Sequence, residues 1–83
     1  SAAMDSLPAA ARERFERLRA WRRARASEQG VPPYVIFHDA ALIEIARANP
    51  ARRADLADVQ GVGQAKLDRY GRDVLAALAG GDD

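Results

Sequence analysis

Few residues in this 83-residue chain carry side chains that do acid–base or nucleophilic chemistry. The chain has one histidine, three serines, and neither cysteine nor threonine. His38 stands beside Asp39, and a neighbouring carboxylate can polarise an imidazole as a general base. Ser1, Ser6 and Ser27 stand in no recognisable nucleophile context. The pattern therefore favours a histidine that precedes a helix cap at Asp39, and we expect no catalysis by this chain alone.

Two carboxylates have a spacing that a metal ion could use. Asp55 and Asp58 lie three residues apart on a predicted helix and could hold a magnesium ion through waters. Carboxylates near a helix start are also stabilised by the helix dipole. We interpret the pair as a solvated acidic face, and we predict neither a metal nor a cofactor site in this domain.

The glycines of the stretch GVGQAK, residues 61–66, raise a second possibility. The stretch lacks the third glycine of GxGxxG, has Lys66 in its place, and lacks the GK[ST] ending of a P-loop, so it predicts no nucleotide site. A helix, a Gly-Val-Gly turn and a second helix are typical of a helix-hairpin-helix element. There, the amides near Gly61 and Gly63 would meet a phosphate at the positive end of the helix dipole. The same glycines could serve the tight turn alone, and both interpretations stay open.

Positive charge is concentrated early in the chain. Residues 12–25 hold seven arginines and two glutamates, whereas the whole chain has a formal net charge of +1. On a helical wheel Arg19 and Arg23 lie on one side, while Arg22 and Arg25 continue the apolar stripe. This asymmetry is compatible with nucleic acid, an acidic partner or contact between domains.

An aromatic residue and a lysine complete the candidate contacts. Tyr34 stands in a proline-bounded segment, where a ring can stack on an unpaired base, worth about 1–3 kcal/mol per base. The ring could equally pack over the core. Lys66 has no obvious acidic partner, because the other bases of its helix are spaced four residues from acids that can neutralise them.

Helical periodicity organises the elements that must position these residues. Gly30 and Pro50 end two of the predicted helices, and prolines interrupt regular helix in the linker 31–37. Phe15 and Leu18 belong to a predicted core stripe, and Gly71 on a buried stripe predicts close approach by another helix. The predicted helices, which form a compact all-α bundle, span residues 8–29, 40–49, 53–59 and 63–78.

The chain has the length of a single small domain. We assign residues 7–79 to it, residues 1–6 to a cloning remnant and linker, and residues 80–83 to a disordered tail. No apolar run approaches the roughly 20 residues needed to cross a bilayer, and the lack of cysteine is typical of an intracellular protein.

Taken together, the motifs resemble the HRDC domain, which is named for its place at the carboxyl end of RecQ helicases and ribonuclease D. The resemblance covers nearly all of residues 12–79. It lies in the PPYVIFHD entry, the NP stop, the GVG hairpin and the K-x-x-x-YG helix, which occur in the order and spacing of that family. The stretch VPPYVIFHDAAL is closer to bacterial RecQ than to ribonuclease D.

The resemblance implies a five-helix bundle, with a short extra turn inside residues 31–37. It implies an auxiliary domain of an ATP-dependent 3′–5′ DNA helicase that acts in DNA repair and recombination, in the bacterial cytoplasm at the nucleoid. The parent helicase would use ATP and Mg²⁺. The implied partners are single-stranded or partly duplex DNA, bound weakly, and the helicase core of the same polypeptide. Tyr34 falls on the position where an aromatic contacts DNA in some members, whereas other members act through protein surfaces.

Two functions therefore stay open. The first is DNA contact, and its candidate residues are Tyr34, Lys66, Gly61, Gly63, Arg19, Arg22, Arg23 and Arg25. The second is a protein- or interdomain-interaction module that uses the acidic face Asp39, Glu44, Asp55 and Asp58. Because the region after residue 26 is net acidic, DNA binding should be weak and strongly dependent on salt.

Overall fold

The structure, a computed structural model, describes residues 2–80 and is an all-α bundle. No strand occurs in those residues. The helices run in the order α1 (Ala2–Asp5), α2 (Ala9–Gln29), α3 (Pro33–Ile36), α4 (Asp39–Ala48), α5 (Arg53–Ala57) and α6 (Gln64–Leu78). The helices α2 to α6 are the expected five-helix bundle, so the predicted fold class is confirmed. None of the helices in the described residues is both long and apolar enough to span a bilayer.

The chain ends differ in part from the prediction. A single helical turn, α1, lies inside the segment 1–6 that we assigned to a remnant and linker. The predicted disordered tail, 80–83, lies outside the described residues except for Gly80. The domain boundaries stay a prediction.

The helix ends follow backbone geometry more closely than side-chain capping. Gly30 ends α2 in the left-handed conformation, with φ 67°, which glycine adopts without steric cost. Asn49 ends α4 in the same way, with φ 48°, immediately before Pro50. The N-cap of α4 is His38 instead of the predicted Asp39, and the His38 side chain makes no capping hydrogen bond. Asp39 is the first residue of the helix proper.

The core lies around α2, which packs against α3, α4 and α6, while α5 packs against α6. Phe15 and Leu18 of the predicted stripe are buried, which confirms that prediction. Trp21, Phe37 and Tyr70 form an aromatic cluster with ring centroids 5.6–6.2 Å apart. Burial of such apolar surface, at about 25 cal/mol per Å², is the main stabilising term for a domain of this size.

Most of the arginine-rich stretch holds α2 to its neighbours. Arg14 donates to the carbonyl of Ala46 at 2.8 Å, and Arg17 donates to the carbonyls of Ala77 and Leu78 at 3.1 and 2.8 Å. Those carbonyls lie in the last turns of α4 and α6, where helices leave acceptors unsatisfied and where their dipoles favour positive charge. The arginines of α2 that donate to other parts of the fold are Arg12, Arg14, Arg17, Arg22 and Arg25.

A charged clamp joins α5 to α6. Arg53 donates to the carbonyl of Leu67 at 3.4 Å and to the carboxylate of Asp68, which also accepts a hydrogen bond from Gln64 at 2.8 Å. Close approach of α5 at Gly71 is confirmed, since a Cβ there would meet the Arg53 and Leu56 side chains within 4 Å. The hydrogen bonds from Arg53 and then from Gln64 hold the pKa of Asp68 below its usual range.

Arg53→Ala should raise the pKa of Asp68 toward the ordinary aspartate value of about 3.9. Because the pKa of Asp68 is lowered in the folded state, its ionised carboxylate stabilises the fold. That contribution is fully present above the ordinary aspartate pKa and is lost as pH falls through the folded-state pKa. Carboxyl chemical shifts, followed by NMR across acidic pH, measure the titration midpoint of Asp68 in the unsubstituted domain and in Arg53→Ala. Arg52→Ala is the matched control, since Arg52 pairs with Asp55. An Asp68 midpoint that Arg53→Ala leaves unchanged would contradict the assignment.

Candidate nucleic-acid interface

The short helix α3 presents an aromatic ring to solvent. Pro32 caps α3 and Pro33 begins it, so the turn starts from residues whose φ is already set. Ile36 and Phe37 are buried and anchor the turn, yet Tyr34 is 60% exposed and Val35 is 41% exposed. They are the exposed large hydrophobic residues of the described chain, and they are neighbours. Since apolar side chains are stabilised by burial, the core-packing interpretation of Tyr34 does not hold.

A histidine ring lies beside that of Tyr34. The rings of Tyr34 and His38 are stacked, with centroids 5.9 Å apart and an interplanar angle of 22°. The imidazole lies beside the tyrosine ring, and Tyr34 stays largely exposed. Sequence reasoning treated His38 only as a base or a residue before a cap. Helical spacing could not have revealed this pair, because α3 ends at Ile36 and the backbone of Phe37 and His38 is extended.

Lys66 of α6 reaches across to the same turn. Its ammonium donates to the carbonyl of Val35 at 2.5 Å. It also lies 5.9 and 5.8 Å from the ring centroids of Phe37 and Tyr70. Lys66 thus has a backbone partner that the sequence did not reveal, but no carboxylate of the described residues neutralises it. Its positive charge stays beside Tyr34.

These residues share one open cleft between α3, α4 and the loop that precedes α6. The cleft lining consists of Tyr34, Val35, Phe37, His38, Ala40, Ala41, Gly61 and Lys66. Three residues of the predicted DNA-contact set, Tyr34, Lys66 and Gly61, are therefore brought together. The lining is mostly apolar and aromatic and includes the cation of Lys66, a combination suited to a base and its phosphate.

The two glycines of the hairpin play different roles. Gly61 has φ 98°, and a Cβ there would lie 2.9 Å from the Cβ of Ala41, so both the backbone conformation and the space require glycine. Gly63 has φ −83° and is the N-cap of α6, and a Cβ there would meet nothing within 4 Å. The turn therefore requires Gly61 alone.

The first turn of α6 leaves its backbone amides available. Leu67 N donates to Gly63 O at 2.9 Å, and the amides of residues 64–66 have no acceptor in the described chain. No side chain caps this end of the helix. Unpaired amides at a helix start are the groups that anions meet.

Two of the predicted DNA-contact arginines pair with carboxylates on other helices. Arg22 is only 8% exposed. It donates to the carbonyl of Phe37 at 2.8 Å and pairs with Asp39 at 2.7 Å, so it joins α2 to the start of α4. Arg25 pairs with Asp73 of α6 at 2.8 Å and lies 5.9 Å from the ring centroid of Trp21.

The other two arginines are exposed. Arg19 lies 3.7 Å from Glu16, and both side chains are more than half exposed. Arg23 has no hydrogen-bond or ion-pair partner in residues 2–80. Both line a second cleft, between α2 and the α3–α4 junction, together with Pro33 and Asp39. Because Pro33 belongs to α3, this second cleft places Arg19 and Arg23 near the turn that carries Tyr34.

The acidic face is largely paired with arginines. Asp39, Glu44 and Asp55 lie 2.7, 3.9 and 3.4 Å from arginine side chains. Asp58 has no such neighbour in the described residues. Asp39 and Glu44 line a groove with Gly61, whereas Asp55 and Asp58 belong to the α5 region. Within residues 2–80, no three histidine or acidic side chains cluster in a way that could hold a metal ion.

Segments of known proteins are similar to this sequence. Over 60 residues the chain is 47% identical to the ATP-dependent DNA helicase RecQ of Bacillus subtilis, and over 63 residues it is 46% identical to the ATP-dependent DNA helicase UvrD2 of Mycobacterium tuberculosis. A ribonuclease D of Granulibacter bethesdensis is 38% identical over 61 residues. The three alignments cover 72%, 76% and 72% of this chain.

The chain spans only 10%, 9% and 15% of the length of these curated relatives. A family profile described as the HRDC domain matches residues 11–78. That match takes in all but the first residues of α2 and continues to the end of α6. The chain therefore belongs to the HRDC domain family.

Proposed function

We propose that this domain is an auxiliary, non-catalytic part of an ATP-dependent DNA helicase of the RecQ or UvrD2 kind, and that it modulates the helicase through weak, structure-dependent DNA binding. The observation that carries the proposal is the Tyr34 ring, held exposed on an anchored turn beside the unneutralised charge of Lys66. The parent enzyme supplies ATP and Mg²⁺ chemistry, and its helicase core is the second partner of the domain.

The chemistry of the cleft favours unpaired nucleotides. A base can stack on the exposed ring of Tyr34 only when it is not already stacked and paired in a duplex. Lys66 and the open amides before Leu67 are suited to the adjacent phosphates. These groups recognise the backbone and any base plane, so the contact is independent of base sequence.

The charge distribution sets the strength of this binding. Lys66 and Arg23 are the predicted contacts that no carboxylate of the described residues pairs with. Arg19 faces Glu16 at 3.7 Å with its side chain exposed, while Arg22 and Arg25 pair with Asp39 and Asp73. A site with about three phosphate contacts binds weakly. The alternative function, a protein contact through the acidic face, has weaker support because arginines already face three of its four carboxylates.

Tyr34→Ala should lower affinity for single-stranded DNA about tenfold, since stacking on one base contributes about 1–3 kcal/mol. Fluorescence anisotropy of labelled oligothymidine and of a forked duplex, at low and moderate salt, measures the loss. Tyr34→Phe keeps the ring plane and should bind like the unsubstituted domain.

Arg47→Ala supplies a charge control, because Arg47 is outside both clefts and pairs with Glu44. It should leave the affinity nearly unchanged, whereas Lys66→Ala should weaken binding. Absence of binding at low salt, or equal affinities of the Tyr34→Ala and unsubstituted domains, would overturn DNA contact at this cleft and favour the acidic face.

A further inference from the structure

We propose that Arg69 of α6 is a further phosphate contact, which extends the nucleic-acid interface from the Tyr34 cleft along α6 beside Lys66. The ligand is the backbone of single-stranded DNA, and the strand leaves the base stacked on Tyr34 to pass along this helix. The inference rests on the proposed function, and it adds a contact that the charge spacing of α6 did not predict.

The carboxylate expected to neutralise Arg69 is bound elsewhere. Helical spacing pairs Arg69 with Asp73, four residues further on, but the Asp73 carboxylate lies 2.8 Å from the Arg25 guanidinium of α2. Asp68, the other acid of α6, pairs with Arg53 of α5. Arg69 is exposed, and no carboxylate of the described residues pairs with it. Its positive charge is therefore available to a ligand.

A shared aromatic ring holds Arg69 close to Lys66. The Arg69 guanidinium carbon lies 5.6 Å from the ring centroid of Tyr70, and the Lys66 ammonium lies 5.8 Å from it. Since both distances are measured from one centroid, the two charges are at most about 11 Å apart, close to the screening length of about 10 Å at 0.1 M salt. Tyr70 is buried, and its hydroxyl accepts a hydrogen bond from Gln29 at 2.9 Å. The ring is therefore a fixed support that attracts both cations.

Arg69 continues the cleft along α6. Lys66 lines the cleft that contains Tyr34, and Arg69 follows it by three residues, about one turn further and about 60° around the helix. Successive phosphates of a strand are bound by successive cations of a groove that tracks the backbone, and these two side chains supply them. Two unpaired cations near an exposed aromatic ring match a nucleic-acid strand better than an acidic peptide, which carries charge but no bases.

The experiment is a salt titration of the affinity for labelled oligothymidine, measured by fluorescence anisotropy. Each phosphate contact to a single strand contributes about 0.7 to the slope of log affinity against log salt concentration. Arg69→Ala should therefore reduce the magnitude of that slope by about 0.7 and weaken binding about threefold at low salt. Circular dichroism checks folding, which is expected to persist because Arg69 makes no hydrogen bond to another side chain or loop of the described residues.

Arg72→Ala is the matched control. Arg72 is an exposed arginine of the same helix that no carboxylate of the described residues pairs with, so its removal changes the net charge equally. It lies about 120° around the helix from Lys66, and its substitution should leave the slope nearly unchanged. Arg69→Lys keeps the positive charge and should retain the slope of the unsubstituted domain.

The outcomes distinguish this inference from the proposed function. If Arg69→Ala keeps the original slope while Tyr34→Ala weakens binding, the contact on α6 is overturned and DNA contact at the cleft is supported. The same loss of slope in Arg72→Ala would also overturn it, because affinity would then follow net charge and not position.

Two further results concern both proposals. A slope change in Arg69→Ala without any effect of Tyr34→Ala would overturn contact at the cleft, and with it the extension from the cleft. Absence of DNA binding at low salt would overturn both and would favour an acidic protein segment as the ligand of these cations.

Discussion

Arg22→Ala is expected to lower the free energy of unfolding by about 3 kcal/mol, which for a domain of this size shifts the melting temperature down by roughly 12–24 °C. The substitution removes a side chain that is only 8% exposed. It leaves the Phe37 carbonyl without its donor and Asp39 without its arginine. An unsatisfied buried acceptor costs about 1–3 kcal/mol by itself, and loss of the packed aliphatic stem adds to that cost.

Arg23→Ala is the matched control for this prediction. Arg23 is the next residue along α2, is exposed, and has no partner in the described residues, so its removal should change stability by less than about 0.5 kcal/mol. Urea denaturation followed by circular dichroism measures both variants. Similar losses for the two would contradict the structural role assigned to Arg22.

The Arg22 prediction also affects how DNA contact is tested. Loss of DNA binding by Arg22→Ala would be expected from unfolding alone, because Arg22 holds the segment between α3 and α4 in place. Arg19 and Arg23, which are exposed, are the α2 arginines whose substitution tests the contact itself.

Gly61→Ala is expected to cost about 3 kcal/mol of unfolding free energy. A non-glycine residue held at φ 98° is strained by about 1–3 kcal/mol. The added Cβ would lie 2.9 Å from the Cβ of Ala41, which forces α4 and the hairpin apart, and such overpacking costs about 1–3 kcal/mol. The same denaturation measurement gives the value.

Gly63→Ala tests whether the GVG turn requires glycine at its second glycine position as well as at Gly61. With φ −83° and open space around its Cβ, Gly63 should accept alanine at a cost of about 0.5 kcal/mol, that of a poorer N-cap. Equal destabilisation by the two substitutions would contradict the division of roles between the glycines.

Much of the architecture could be predicted from local pattern. The apolar spacing of residues 64–78 predicts α6, and Gly30 and Pro50 mark where α2 and α4 stop, because glycine and proline act on the backbone within one or two residues. The turn α3 was expected only from the family resemblance. Its four residues, Pro33–Ile36, are too few for periodicity to reveal a helix.

The candidate site could be predicted only in part. Tyr34, Lys66 and Gly61 line one cleft, and their role in DNA contact stays a prediction, whereas the pairing of charges was predicted less well. The pairs expected within α6 are replaced by contacts from other helices, with Arg53 on Asp68 and Arg25 on Asp73. The spacing of residues on one helix cannot reveal partners that belong to other helices.

By itself, the amino-acid sequence determined the helical class, most helix boundaries and the presence of a glycine hairpin, since these depend on interactions between residues close in the chain. Only the tertiary structure decided which positive charges are available. Arg22 and Arg25 are bound to carboxylates distant in sequence, and Lys66 reaches a carbonyl 31 residues away. The exposure of Tyr34 was decided in the same way, because burial depends on the packing of the whole bundle and not on the identity of the residue.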